Sequence, residues 1–115
     1  MKYSMLDVID DMKYKNTLQK GSVRYIVFKE GETWYAAGLE FNIVESGTTP
    51  EEVLLLLFEA LEGYVESARK MKARPSILNQ RTDPEYEEMW KSLQTKKAPP
   101  QRPVFTFGQR SFVPA

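Results

Sequence analysis

The sequence predicts an α+β domain in which a small antiparallel sheet packs against one long helix. Two runs rich in β-branched and aromatic residues, 22–30 and 33–39, are separated by the turn residues Gly31-Glu32 and predict a hairpin. A strongly amphipathic segment that begins at Pro50 predicts the helix. With 115 residues, the chain has the length of one small domain.

The first strand of the hairpin is apolar on both faces. Alternation places Val23, Tyr25 and Val27 on one side and Ile26 and Phe28 on the other. The return strand ends in small residues, and Gly38 among them would either let a helix approach the sheet closely or mark a bulge. A third short strand is predicted over 43–45.

The long helix has a well-defined start. Thr49 is the expected N-cap, Pro50 takes the first helical position, and Glu52 completes a capping box. The helix is predicted to reach about Ala68, with a glutamate-rich face opposite a broad apolar stripe. Leu55 projects from the middle of the glutamate face, and two interpretations stay open: a tolerated exposed leucine, or an apolar contact with another subunit or a partner.

Charge divides the chain unevenly. Residues 21–68 carry nine Glu against Arg24 and Lys29, a net charge of −7, whereas residues 69–115 carry ten basic and four acidic residues, a net charge of +6. This change places the predicted boundary of the compact domain near residue 70. We therefore expect an N-terminal extension, a core and a basic tail, with the ranges 1–22, 23–70 and 71–115.

The two flanking segments carry weaker signals. A short helix over 5–13 is predicted in the extension. The tail is expected to contain a capped helix over 83–94, a proline-rich linker over 96–103 and a terminal strand over 104–107 that could join an open sheet edge, its own or that of a neighbour. Three apolar residues of the tail helix are expected to pack against the body: Tyr86, Met89 and Trp90.

Composition excludes many enzyme mechanisms. The chain has no Cys and no His, so thiolate nucleophiles, Cys/His zinc sites, Ser-His triads and histidine acid–base catalysis are not available. The six glycines are scattered and form no phosphate-binding loop. We therefore expect no catalytic residue, metal site or cofactor. The N-terminus lacks the apolar run of a signal peptide, and no run is long enough to span a bilayer, so we expect a cytoplasmic protein.

The order of these elements resembles the HicB-like antitoxin domain over about residues 23–68. The resemblance rests on Tyr25-Ile-Val-Phe, on Thr33-Trp-Tyr-Ala-Ala-Gly-Leu-Glu-Phe, and on a third strand followed by a Gly-x-Thr-x-x-Glu helix start, here Gly47, Thr49 and Glu52. In this chain Val53 stands where the family usually has Ala, and Phe41-Asn42 replaces the Pro-Gly before the third strand. The resemblance implies a partial ribonuclease-H-like β-β-β-α-β fold without catalytic carboxylates.

The resemblance further implies a non-enzymatic protein that neutralises a small, basic, mRNA-cleaving toxin. An acidic body suits such a cationic partner, and the residues expected to contribute to binding are Glu40, Glu45, Leu55, Glu59 and Glu62. Many family members bind DNA through a C-terminal helix-turn-helix or ribbon-helix-helix. The tail of this chain fits neither module.

Self-association is a further expectation, because the apolar stripe of the helix is broader than the small sheet can bury. The residues expected at a homo-oligomer interface are Leu54, Phe58, Val65, Val104, Phe105 and Phe107. A stand-alone homo-oligomeric domain without a toxin is thus the alternative function. A small nucleic-acid-binding regulator that uses the basic stretch 69–74 and Arg81 is a third hypothesis, against the simpler interpretation of a cationic helix end.

Overall fold

The computed structural model describes residues 14–95 and 102–113 and confirms the predicted α+β class. A four-stranded antiparallel sheet has the order β3-β2-β1-β4. The elements are β1 (Gly21–Glu30), β2 (Thr33–Gly38), β3 (Ile43–Gly47), α1 (Pro50–Met71), a 3₁₀ helix (Pro75–Leu78), α2 (Pro84–Thr95) and β4 (Val104–Phe112). The helix predicted over 5–13 and positions 96–101 of the predicted linker lie outside the described residues.

Strand β1 is buried on both faces, as its sequence predicts. Val27 points into a cluster with the inner face of α1, which contributes Leu57 and Leu61. Ile26 and Phe28 point the other way, into a second cluster covered by α2. The four α2 residues in that contact are Tyr86, Met89, Trp90 and Leu93. The sheet therefore has a helix on each face.

The start of α1 forms as predicted, with one difference. The Thr49 hydroxyl accepts a hydrogen bond from the Glu52 N–H at 3.2 Å. The Glu52 carboxylate folds back and accepts from the N–H of Thr48, not of the N-cap itself, at 3.2 Å. A Cβ at Gly47 would overlap this carboxylate and crowd Val53. The glycine thus leaves the space that the folded-back side chain occupies.

Gly38 allows close packing between sheet and helix and does not mark a bulge. It pairs regularly with Tyr25 and Ile43. A Cβ placed on it would lie 2.8 Å from Cδ2 of Leu61. The register irregularity in the sheet lies between Val27 and Phe28, where β1 pairs with β4.

The chain passes around one end of the sheet between the two helices. Helix α1 ends at Met71, and Lys72 takes a left-handed φ of 51°. The segment that follows borders the β2–β3 turn, where the Gln80 N–H donates to the Glu40 carbonyl at 2.8 Å and Thr82 Oγ1 donates to the Leu39 carbonyl. This route delivers α2 to the face opposite α1.

Strand β4 completes the sheet of its own chain. It pairs with β1 from Gly21 to Phe28 and is nine residues long, longer than the predicted 104–107. With only one helix between β3 and β4, β4 would run parallel to β3 and therefore to β1. The second helix reverses the direction of the chain, so β4 runs antiparallel to β1. Residues 71–95 and 102–113 therefore belong to the same packed unit as the acidic body.

The two glycines at positions 38 and 63 provide a matched test of this packing. Gly38→Ala forces a methyl against Leu61, so we expect it to lower the free energy of unfolding by about 1 kcal/mol. Gly63 lies in the middle of α1 with open space where its Cβ would be. Gly63→Ala should therefore raise stability by roughly 0.5–1 kcal/mol. Urea unfolding of both variants measures the two effects, and equal shifts would contradict this account.

Candidate interaction surfaces

The outer face of α1 is an acidic surface with an apolar centre. Its carboxylates are Glu51, Glu52, Glu59, Glu62 and Glu66, and all five residues are exposed. Leu55 lies among them and is 61% exposed. Residues three, four and seven positions apart share one side of a helix, so Glu51, Glu59 and Glu62 surround this leucine. Leu56 beside it is 38% exposed and was not among the predicted contact residues. We call this surface the α1 outer face.

Two ion pairs modify the α1 outer face. The Lys70 ammonium lies 3.3 Å from the Glu66 carboxylate, one helical turn away. Arg110 of β4 donates to the Glu62 carboxylate at 2.7 Å and lies over the ring of Phe58, 4.3 Å from its centroid. These pairs are open to water, so they contribute little to stability and can be exchanged for a partner's charges.

The predicted partner-binding residues do not all lie on one surface. Leu55, Glu59 and Glu62 are together on the α1 outer face. Glu40 is on the opposite side of the sheet, and its side chain, 12% exposed, accepts hydrogen bonds from Nε and the backbone N–H of Arg24. It thus serves an internal pair and offers no free charge. Glu45 is half-buried in the edge strand β3, opposite Ala36.

The residues predicted for self-association keep some exposed surface on α1 or β4, with one exception. Phe105 and Phe107 are 46% and 39% exposed. Phe105 makes an edge-on contact with Trp34, and Phe107 makes one with Trp90. Leu54 and Phe58 of α1 are partly buried against the core cluster that includes Leu57, and Val104 is partly buried against the α2 cluster. Val65 is the exception: it belongs to the core at 3% exposure and presents no surface.

The strongest polar network was not predicted. Arg24 in β1 donates from Nε to Glu40 at 2.6 Å and from its terminal nitrogens to both carboxylate oxygens of Glu87 in α2, at 2.7 and 3.1 Å. It also lies 5.6 Å from the ring centroid of Trp90. Hydrogen bonding to Glu87 is the main cause that raises the pKa of Arg24. One feature of the sequence pointed to this network: Arg24 alternates onto the same face of β1 as Ile26 and Phe28. A cation that is covered on such a face requires an anionic partner.

The basic stretch predicted to end the helix has a structural use. Arg69 donates from Nε to the carbonyl of Leu18 at 2.6 Å, and from a terminal nitrogen to the carbonyls of Gln19 and Val113. The Arg69 guanidinium therefore binds the segment that precedes β1 and the residue that follows β4. This geometry argues against Arg69 as a contact for nucleic acid.

The described residues offer neither a candidate metal site nor a candidate membrane span. Within residues 14–95 and 102–113, no group of three acidic side chains is placed to hold a metal ion. In the same part of the chain, no helix combines the length and apolar character needed to cross a membrane. Comparison with known protein families, curated proteins and solved structures finds no match for this sequence.

The Arg24–Glu87 pair predicts a specific pH dependence. Hydrogen bonding from Arg24 lowers the pKa of Glu87 in the folded protein, whereas the unfolded chain takes up the proton near its usual pKa of roughly 4.3. The stabilising contribution is therefore complete above the unfolded pKa and is lost as pH falls through the lower, folded one. We expect Glu87→Gln to reduce stability at neutral pH and to weaken its decrease upon acidification.

Urea unfolding between pH 7 and pH 3 measures this effect. Glu88→Gln is the matched control, because Glu88 is exposed in the same helix and has no comparable bond to Arg24 among the described residues. An acid-induced loss of stability that is identical in the wild type and in Glu87→Gln would refute the assignment.

Proposed function

We propose that the chain is a non-enzymatic protein–protein interaction domain that acts as a HicB-like antitoxin in the cytoplasm. In this role it covers the RNA-binding surface of a small basic toxin. The observation that carries the proposal is the α1 outer face, where exposed Leu55 is surrounded by carboxylates. Such a surface combines an apolar anchor with charges that attract a cationic partner.

The composition of the face fits a basic protein better than a neutral one. Five glutamates along one helix produce a field that accelerates encounter with a cationic surface, and that effect weakens as salt increases. The exposed leucines add apolar area that a partner can remove from water. An RNA-binding surface of a toxin is cationic by necessity, so the same carboxylates that attract it also compete with its RNA.

Gly63 gives a second reason to regard this face as a contact surface. It interrupts the middle of α1, where glycine costs about 1 kcal/mol relative to alanine, yet its missing Cβ faces open space. No contact within the described residues accounts for this cost. A glycine four residues after Glu59 and seven after Leu56 would let the main chain of a partner approach the helix closely.

From β1 to α1 the order of elements is the one that the resemblance implies, whereas α2 intervenes before β4. A meander of three strands precedes one long helix. The Gly-x-Thr-x-x-Glu start has a structural purpose, in which Thr49 caps the helix and Gly47 accommodates the Glu52 carboxylate. At the β2–β3 turn, Asn42 has φ 54°, a conformation that glycine and asparagine adopt most easily. It can thus substitute for the glycine that the family has before its third strand.

Charge reversal on the α1 outer face tests the antitoxin proposal. The full chain, tagged, is used to capture its partner from the native cell, and the purified partner is then titrated with the variants. Leu55→Lys combined with Glu59→Lys removes the anchor and reverses one charge, so we expect at least a tenfold loss of affinity, about 1.4 kcal/mol or more. Association of the wild type should also slow as salt is raised.

The control is Glu32→Lys, which reverses one carboxylate charge at an exposed position of the β1–β2 hairpin turn, outside the α1 outer face. It should bind like the wild type. The partner should be small, basic and able to cleave mRNA when free, and cleavage should stop when the wild-type chain is added. A partner without this activity, or equal binding by both variants, contradicts the proposal.

Self-assembly is the second candidate function. In this case the chain acts as a homo-oligomer with no toxin, and exposed Phe105 and Phe107 on the edge strand β4 favour it. The two functions use different surfaces, because the α1 outer face and the outer edge of β4 point in different directions. Molar mass in solution is the direct test: a monomer at high concentration would exclude self-assembly.

A further inference from the structure

The outer edge of β4 has the features of a strand that accepts another strand. Strand β4 is the last strand on its side of the sheet, and no other strand within residues 14–95 and 102–113 pairs with its free edge. Every second residue of such a strand directs its N–H and C=O away from the sheet. Nine residues give an edge about 30 Å long, at about 3.4 Å per residue.

Between Thr106 and Phe112 this edge carries few of the devices that protect the edges of monomeric sheets, and the β-bulge of the strand lies at its start, at Phe105. Between Val104 and Phe112 there is no proline and no lysine. The only charged residue is Arg110, which is already paired with Glu62 of its own chain. The opposite edge, β3, is five residues long and carries Glu45 near its middle. Natural proteins usually blunt a long exposed edge by such charges, prolines or short length.

We infer that two copies of the chain pair their β4 strands antiparallel about a two-fold axis at Gly108, which forms a continuous eight-stranded sheet. Gly108 is the middle residue of β4, so this register pairs Thr106 to Arg110 of the two copies symmetrically, and the bulge at Phe105 lies at the end of the paired segment. The inference specifies the second candidate function and rests on it. It leaves the α1 outer face of each copy free for a different partner.

The side chains on both faces are compatible with this register. Phe107 faces Gln109 of the partner subunit and lies diagonal to the partner's Phe107, a separation within reach of aromatic rings. Each Phe107 already contacts Trp90, so the pairing would join two such aromatic contacts into one row. Thr106 faces the partner's Arg110, and the two arginines remain about 14 Å apart along the strands.

The centre of the interface is also accommodating. At Gly108 the ring of Tyr25 occupies the space of a side chain, since a Cβ there would lie 3.0 Å from the tyrosine oxygen. Tyr25 in turn packs edge-on against Phe58. The face that holds α1 is thus already filled at the two-fold axis, and strands can approach without displacing a core residue.

A second copy is favoured over a foreign peptide because the edge is self-complementary. The pairing leaves no like charges opposite each other and places each Phe107 against a polar, narrower side chain. Pairing about a two-fold axis covers the β4 edges of both copies at once, whereas a foreign strand would cover the β4 edge of one copy only.

Spin labels can measure the register, because the chain has no cysteine of its own. Gln109→Cys and Ser46→Cys are prepared separately in the full chain; both positions are exposed, one on β4 and one on β3. Across the proposed two-fold axis the Cα atoms of the two 109 positions are about 7–8 Å apart. The two 46 positions are separated by seven strand spacings, about 34 Å.

Light scattering on the unlabelled chain should give a molar mass of twice 13.3 kDa. Electron paramagnetic resonance should show strong dipolar broadening between labels at position 109 and a long distance between labels at position 46. Gln109→Lys should raise the dimer dissociation constant at least tenfold, while the matched Ser46→Lys should not. A monomer overturns both self-assembly and this inference. A dimer in which the 46 labels are closer than the 109 labels overturns the inference alone.

Discussion

The burial of β1 on both faces is the constraint on which the architecture depends. Ile26, Val27 and Phe28 are each 0–1% exposed, although they point alternately to opposite sides of one sheet. A sheet of four strands with one helix would leave Ile26 and Phe28 in water. Helix α2 covers these two residues on the far side of the sheet. To place α2 there, the chain runs past the β2–β3 turn, and as a result β4 is antiparallel to β1. The three-layer arrangement follows from one strand.

The same constraint determines which charges are internal. Arg24 lies on the face that α2 covers, so its guanidinium loses part of its contact with water and must be compensated. Glu40 and Glu87 provide two carboxylates, and Trp90 covers the cation from the helix side. The consequence is a division of the glutamates: Glu40 and Glu87 hold the layers together, whereas those on the α1 outer face stay exposed to water.

The local elements could be predicted from sequence because their causes are local. The hairpin, the Thr49 cap and the two-faced character of β1 follow from alternation, turn residues and capping chemistry between neighbouring positions. The contacts of Glu40 and Val65 could not be predicted in this way. Glu40 meets Arg24 only after β2 has folded back on β1, and Val65 is on the border of the apolar stripe, where burial depends on how β4 packs beside α1. Leu55 could be identified because helical periodicity alone places it among glutamates.

The three carbonyls held by Arg69 link parts of the chain that are far apart in sequence. One guanidinium binds Leu18 and Gln19, which precede β1, and Val113, which follows β4. The segment before β1 and the segment after β4 are therefore coupled. If either segment detaches, Arg69 loses one of the carbonyls that hold it in place for the other. Gly21 at the start of β1 pairs with Phe112 at the end of β4, so slow amide exchange at these two positions should report a single cooperative opening of this end of the sheet.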